Sequence, residues 1–352
     1  MKKARILSLT ILALGIIALF GVGTAIAAKP KTPVRVALVL NGTLGDKSFF
    51  DSAARGIQMA EQRLPVQGRI IEAGYDPSKW EPALEDAVAS DYDVIVVGTW
   101  QMVDYVQDMA IKYPEKKFIV FDTEVDYSQG KFSNVYCMTY KQNEGSYLAG
   151  LLAGHVTVSN MPMANKAKVV GVVGGQDIPV INDFIIGYKQ GVHSVDPGIQ
   201  VLTQYVGNWN DAAKAKEIAL AMISQGADVI YSVAAGAGVG IFEAAKEKKC
   251  YAIGVDSDQA LLFEKSDPQM TQHIITSMTK NIDMSVYRAL ELYVNGKLQF
   301  GKTEMLGIKE RGVGLAKNKY YQANVSEQIR EAIDEAEKSI VSGGIRVDTV
   351  FK

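Results

Sequence analysis

Cysteine and histidine are scarce. Across 352 residues there are two cysteines, Cys137 and Cys250, and three histidines, His155, His193 and His273. Each cysteine lies beside an apolar run in a different half of the chain. That favours two buried thiols over a disulfide, even in a compartment that permits one. The histidines lack ligand spacing, which argues against a zinc site. Excess charge is also lacking: the formal net charge is −2. No basic run follows the first few residues, so nucleic acid is not an expected partner. A GxSxG elbow for Ser-His-Asp hydrolysis is missing too. After residue 28 no stretch is long and apolar enough to span a bilayer.

What is present begins with Lys2, Lys3 and Arg5, then an uncharged run over 6–28 containing Ala25-Ile26-Ala27. These are the three parts of a secretory signal and predict export, with residues 1–28 removed. The alternative is a retained anchor, since the run is long enough to span. The small residues crowding its end favour cleavage. Losing the three cations would take the formal charge from −2 to about −5. No cysteine lies near the cleavage site, so a lipid anchor through an N-terminal cysteine is not expected. The apolar content, 48%, supports a sizeable core in one or two domains.

The stretch 36–56, VALVLNGTLGDKSFFDSAARG, organises the rest. It reads as a buried strand over 36–40, turn chemistry over 41–45, and a helix capped by Asp46. A loop leaving the first strand of an open α/β sheet faces the ligand crevice. Phe49 and Phe50 stand at the mouth of that helix. A βα pattern follows, with strands expected at 69–73, 93–97 and 118–121, and an edge strand at 135–138. Helices are expected at 80–89 and 102–112. The pattern restarts with a helix at 144–156. Strands follow at 168–173, 199–205, 228–233, 251–255 and 274–278, and helices at 180–192, 211–225, 240–248 and 282–294. A last amphipathic helix covers 327–340. Two βα arrays of similar size, without a sequence repeat, predict two similar lobes with mostly parallel sheets.

Two motifs invite a nucleotide reading and fail it. Residues 42–48, GTLGDKS, approach a Walker A loop. That loop needs glycine where Asp46 and Asn41 stand, and a carboxylate in a phosphate nest is repulsive. Residues 236–240, GAGVG, precede Asp256 by the spacing of a dinucleotide fingerprint, but Ile241 replaces the third glycine. What survives is physical: Gly236 permits close backbone approach, and a strand-end carboxylate can hold a sugar diol. Asp122, Asp256 and Asp258 could cap helices, accept ligand hydroxyls or do acid–base work. Phe49, Phe50, Trp100, Phe184 and Trp209 recur at strand-to-helix junctions, where flat rings suit a planar ligand. Lys280 adds one cation.

With those residues assembled, the chain resembles the basic membrane protein family of bacterial substrate-binding proteins, the purine nucleoside receptor A-like group. The likeness rests on GDKSFFDSAARG, FDTEVD around Asp122, YKQNEGSYLAGLLAG, VVGGQDIPVINDFIIGYKQG and YVGNWNDAAKAKEIA. It continues through AAGAGVGIFEAAKEK, AIGVDSDQ around Asp256, TSMTKNID around Lys280, and the tail. The resemblance implies a type I periplasmic-binding fold: two Rossmann-like lobes joined by three crossings, near Tyr140, Lys280 and Phe300. One lobe would hold 34–139 plus 280–300, the other 140–279 plus 301–352. It implies a monomer without cofactor or catalysis that delivers a nucleoside, most readily a purine, to an ABC permease and its ATPase subunits. Phe49, Phe184 and Trp209 then match aromatics around the base, and Asp122 a carboxylate on the base side. Asp256 and Lys280 match groups that hold ribose hydroxyls, with Gly236 allowing close approach. Asn41 and Phe50 depart from the family's usual Asp and Asn at base-recognition positions; an amide can donate as well as accept. The alternatives are an exported nucleoside-processing enzyme using Asp122 or Asp256, and a ligand-sensing protein on the same fold.

Overall fold

The computed structural model describes residues 32–351. The expected signal segment, 1–28, lies outside the described residues. Twelve strands are described: β1 (Val34–Leu40), β2 (Val66–Glu72), β3 (Val94–Gly98), β4 (Lys117–Phe121), β5 (Val135–Tyr140), β6 (Val169–Gly174), β7 (Gln200–Tyr205), β8 (Ala227–Val233), β9 (Tyr251–Asp256), β10 (Ile274–Lys280), β11 (Lys302–Leu306) and β12 (Val313–Leu315). The helices are α1 (Phe49–Arg63), α2 (Trp80–Ala89), α3 (Val103–Lys112), α4 (Gln142–Thr157), α5 (Pro179–Val195), α6 (Ala212–Ser224), α7 (Val239–Lys248), α8 (Gln259–Phe263), α9 (Pro268–Thr271), α10 (Ile282–Val294), α11 (Lys319–Asn324) and α12 (Glu327–Ser342).

The strands form two six-stranded sheets, ordered β2-β1-β3-β4-β5-β11 and β7-β6-β8-β9-β10-β12. Counted within each sheet, the order is the same. All pairings are parallel except β10 with β12. The local reason is composition. VIVVG in β3 and VVGVVG in β6 are apolar throughout and buried throughout, as parallel strands covered on both faces must be. Along β1, Val36, Leu38 and Leu40 enter one core while Ala37 and Val39 enter another against α2 and α3. The first of these cores runs unbroken through both lobes, from β1 and α1 to α4, α5 and α12.

Three expectations are corrected. Strand β5 is interior, not an edge, because β11 pairs along it from Lys302↔Tyr136 to Leu306↔Tyr140. Strand β11 therefore belongs to the first sheet, whereas the resemblance implies a place in the second lobe for residues 301–352. The third crossing accordingly falls after Leu306, between β11 and β12, not near Phe300. KTEML gives no apolar run, and only Leu306 in it is buried, so the sequence pattern passes over it. Cys137 and Cys250 are both free and buried, and burial pushes the two thiols up to about 11 and about 12. Among the described residues no helix is long and apolar enough to cross a membrane.

A candidate ligand cleft between two sets of strand ends

The C-terminal strand ends of both sheets meet at one cavity of about 470 Å³. Its lining includes Asn41 after β1, Thr99 after β3, Asp122 after β4, Gln176 after β6, Ala235 after β8, and Asp256 and Lys280 at the ends of β9 and β10. Four of these residues occupy the left-handed backbone region without being glycine: Thr99 (φ 76°), Asp122 (φ 63°), Ala235 (φ 47°) and Asp256 (φ 62°). They fall at the ends of the same two strands of each sheet, third and fourth in chain order. Such conformations cost roughly 1–3 kcal/mol each and gather where side chains must be aimed.

Lys280, only 1% exposed, is the one cation in the lining among the described residues. Its Nζ donates to Asp122 Oδ1 at 2.6 Å, joining the ends of β10 and β4 across the lobes. The same ammonium stands 4.8 Å from the Phe184 ring centroid, 5.5 Å from Tyr140 and 5.8 Å from Phe49. Rings replace part of its lost hydration. Burial pushes the Asp122 carboxyl up, and the Lys280 ammonium opposes that shift. Asp256 Oδ2 accepts from Ser48 Oγ at 2.5 Å. Burial pushes this carboxyl up to about 6, with Lys280 and Ser48 pulling down and the Asp46 and Asp122 charges adding to the rise. Asp46 accepts backbone N–H groups from Ser48, Phe50 and Asp51 at 2.9, 2.8 and 3.1 Å. It thus satisfies donors that the start of α1 leaves open, while burial still pushes its carboxyl up.

The aromatics are placed by packing. Phe49 leans on Phe50 and Phe121, with centroids 5.3 and 5.6 Å away. Phe50 fills the space over Gly42, where a Cβ would lie 2.1 Å from its ring. Trp209 lies against Gly175 in the same way, at 2.3 Å. Trp100, 53% exposed, stands at the rim. Asn41 donates from Nδ2 to Thr99 Oγ1 at 2.9 Å, and its Oδ1 has no hydrogen-bond partner among the described residues.

Of the nine residues singled out from sequence, the fold brings eight to this cavity: Asn41, Phe49, Phe50, Asp122, Phe184, Trp209, Asp256 and Lys280. Gly236 is not in the lining. A Cβ there would face the Trp209 carbonyl and Asp46, at 3.3 and 3.6 Å, and its neighbour Ala235 lines the cavity instead. Asp258 caps α8 and accepts from Asn318, away from the cavity. Sequence reasoning missed Asp46 as a lining group, reading it only as a cap. It also missed Thr99 and Tyr75; the rule that strand ends face the crevice would have found Thr99.

Residues 33–349 match the Bmp family, described as ABC transporter substrate-binding protein PnrA-like. The chain is 28% identical to the ABC transporter nucleoside-binding protein BmpA of Lactococcus lactis subsp. cremoris, covering 98% of this chain and 99% of that one. It is 30% identical to the CD4+ T-cell-stimulating antigen of Listeria monocytogenes, over 89% and 87% of the two chains. Its structure resembles an ABC transporter solute-binding protein from Aeropyrum pernix, with TM-score 0.79, 27% identity, and 91% and 94% of the chains covered. The arabinose-binding protein AraP of Geobacillus stearothermophilus, at 15% identity and TM-score 0.60 over 83% and 99% of the chains, shares the fold. The order of strands, the facing strand ends and these matches agree: the chain belongs to the Bmp family, the PnrA-like substrate-binding proteins of ABC transport, which act on the extracytoplasmic side.

Proposed function

We propose that the protein binds a nucleoside, most readily a purine nucleoside, between its lobes and hands it to an ABC permease, as a monomer and without catalysing a reaction. One observation carries the reading. Two aromatic rings, Phe49 and Phe184, and two carboxylates, Asp122 and Asp256, surround one buried ammonium in a single cavity. Rings suit a flat base and carboxylates suit sugar hydroxyls. The size agrees. About 470 Å³ is some three times the roughly 150 Å³ that accommodates benzene, and a purine nucleoside has three rings. Charge narrows the class further. The charged groups in the lining are Asp46, Asp122, Asp256 and Lys280, a formal surplus of negative charge that repels phosphate. A nucleoside is therefore preferred over its nucleotide.

The test is a thermal-shift panel of purine and pyrimidine nucleosides, their monophosphates and simple sugars, with mass spectrometry of whatever leaves the purified protein on denaturation. A ligand that binds only the folded state must raise its stability. The expected result is a shift with nucleosides, largest for a purine, and none with monophosphates. A shift with sugars alone would overturn the ligand. Asp256, pushed up to about 6, lies in the range of a general acid. Release of free base from inosine, guanosine or adenosine would therefore replace binding by catalysis.

A further inference from the structure

The lobes touch a second time, outside the cavity. The start of α1, in the first lobe, meets the segment joining β9 to α8, in the second. Gln259 donates from Nε2 to the Lys47 carbonyl at 3.1 Å, and Ser257 Oγ donates to the Ser48 carbonyl at 3.1 Å. Arg55 donates from a guanidinium nitrogen to Ser257 Oγ at 2.9 Å, while its own lobe holds it through Asp283 at 3.3 Å. The Lys47 ammonium lies 5.3 Å from the Phe263 ring centroid. None of Arg55, Ser257 and Gln259 lines the cavity.

This seam is built, not incidental. Gln259 is fully buried. Its Oε1 accepts from Val255 N–H at 2.8 Å and its own N–H donates to Ser277 Oγ at 3.1 Å. Its amide is therefore fixed before it reaches across to the other lobe. Lys47 meets it with a left-handed backbone, φ 50°, a conformation that non-glycine residues adopt only when held. Ser257 both accepts from Arg55 and donates to Ser48, with 4% exposure. Separating the lobes would break these bonds together, and the cavity would open with them.

We propose that Arg55, Ser257 and Gln259 are positioning residues that set how long the lobes stay closed, and so how long a ligand is held, without choosing which ligand it is. The inference rests on the proposed binding of a ligand between the two lobes, which would have to close on it, but not on the identity of the ligand. A protein whose closed form is held partly by its own contacts gives up less affinity to the act of closing.

The variants are Ser257→Ala and Arg55→Met. Arg55 is about one-third exposed in its side chain and Ser257 is small, so both should fold. Gln259, fully buried, is left intact. Two quantities are read: the dissociation rate of inosine by stopped-flow tryptophan fluorescence, and the ligand-free radius of gyration by X-ray scattering. The expected result is dissociation roughly three- to tenfold faster, the worth of one hydrogen bond. The order of preference among nucleosides should be unchanged, and the ligand-free radius larger than in wild type. Unchanged dissociation, or a changed order of preference, would overturn the proposal. If wild type holds no nucleoside at all, the ligand reading fails separately. Scattering then decides the seam alone: equal radii in wild type and variants overturn it.

Discussion

Replacing Lys280 by methionine removes the one cation that the described residues bring to a cavity lined by three carboxylates. The side chain keeps its length and loses its charge, so packing against Phe184, Tyr140 and Phe49 is largely retained. Asp122 is then left without its partner. At the N–O separation of 2.6 Å, the gross Coulomb attraction is about 6 kcal/mol at an effective dielectric of 20. Part of this is offset by the desolvation of both ions, and removing one member of such a buried pair costs roughly 3–5 kcal/mol. The folded unit spans residues 33–352, for which the unfolding entropy is about 0.7 kcal/mol/K. A loss of about 4 kcal/mol therefore lowers Tm by about 6 °C. The sign with pH also follows. Burial already raises the Asp122 carboxyl, and without Lys280 nothing opposes that rise. The native state then holds a proton that the unfolded state has released, so the variant loses stability as pH rises. The deficit should be larger at pH 8 than at pH 5. The double variant Lys280→Met, Asp122→Asn removes the stranded charge and should regain most of the loss. Calorimetry on the three proteins decides. A single variant within about 1 kcal/mol of wild type, or a double variant no more stable than the single, would refute the account of this pair.

Asp256→Asn should separate stability from binding. Its carboxyl rises from 3.8 to about 6 in the fold, so ionising it costs the native state about 3 kcal/mol once pH exceeds 6. Relative to the variant, wild type should lose that stability between about pH 4 and 6, while the variant loses its nucleoside-induced thermal shift. Parallel pH profiles for the two proteins would count against it. Asp46→Ala should lower stability by about 2 kcal/mol, because three backbone N–H groups at the start of α1 lose their acceptor; chemical denaturation measures it. Gly150→Ala and Gly187→Ala, where a Cβ would lie 2.0 and 2.2 Å from backbone oxygens of Tyr188 and Asn143, should each cost roughly 1–3 kcal/mol. Neither glycine lines the cavity, so affinity in the surviving folded protein should match wild type.

The legible parts of this fold share a cause. Helices α2 and α10 fall where residue periodicity places them, at 80–89 and 282–294, since each has its own apolar stripe. Buried strands such as β3 and β6 declare themselves as apolar runs. Strands β11 and β12 do not, because KTEML and VGL are too short or too mixed to carry a period. Their pairing is decided by neighbours more than a hundred residues away or by a return across the cleft. The same division holds in the site. Asp122, Asp256 and Lys280 could be found because they end strands. Gly236 lies outside the lining, because a small residue beside a strand end can face either a ligand or another loop. Here Trp209 and Asp46 take that side. Asp46 looked spent as a cap, yet one carboxylate can both hold a helix start and face a cavity.

The discontinuity of the first lobe also governs when the protein can fold. Helix α10 packs on α1, and β11 completes the first sheet at Lys302–Leu306, yet the whole second βα array lies between them and the strands they join. The first lobe cannot be finished by local contacts, and long-range pairings of this kind form slowly. Until Val294 has emerged α1 lacks its covering helix, and until Leu306 has emerged the first sheet keeps an open edge at β5. The compact form of the first lobe is therefore reached only after most of the chain is available to it.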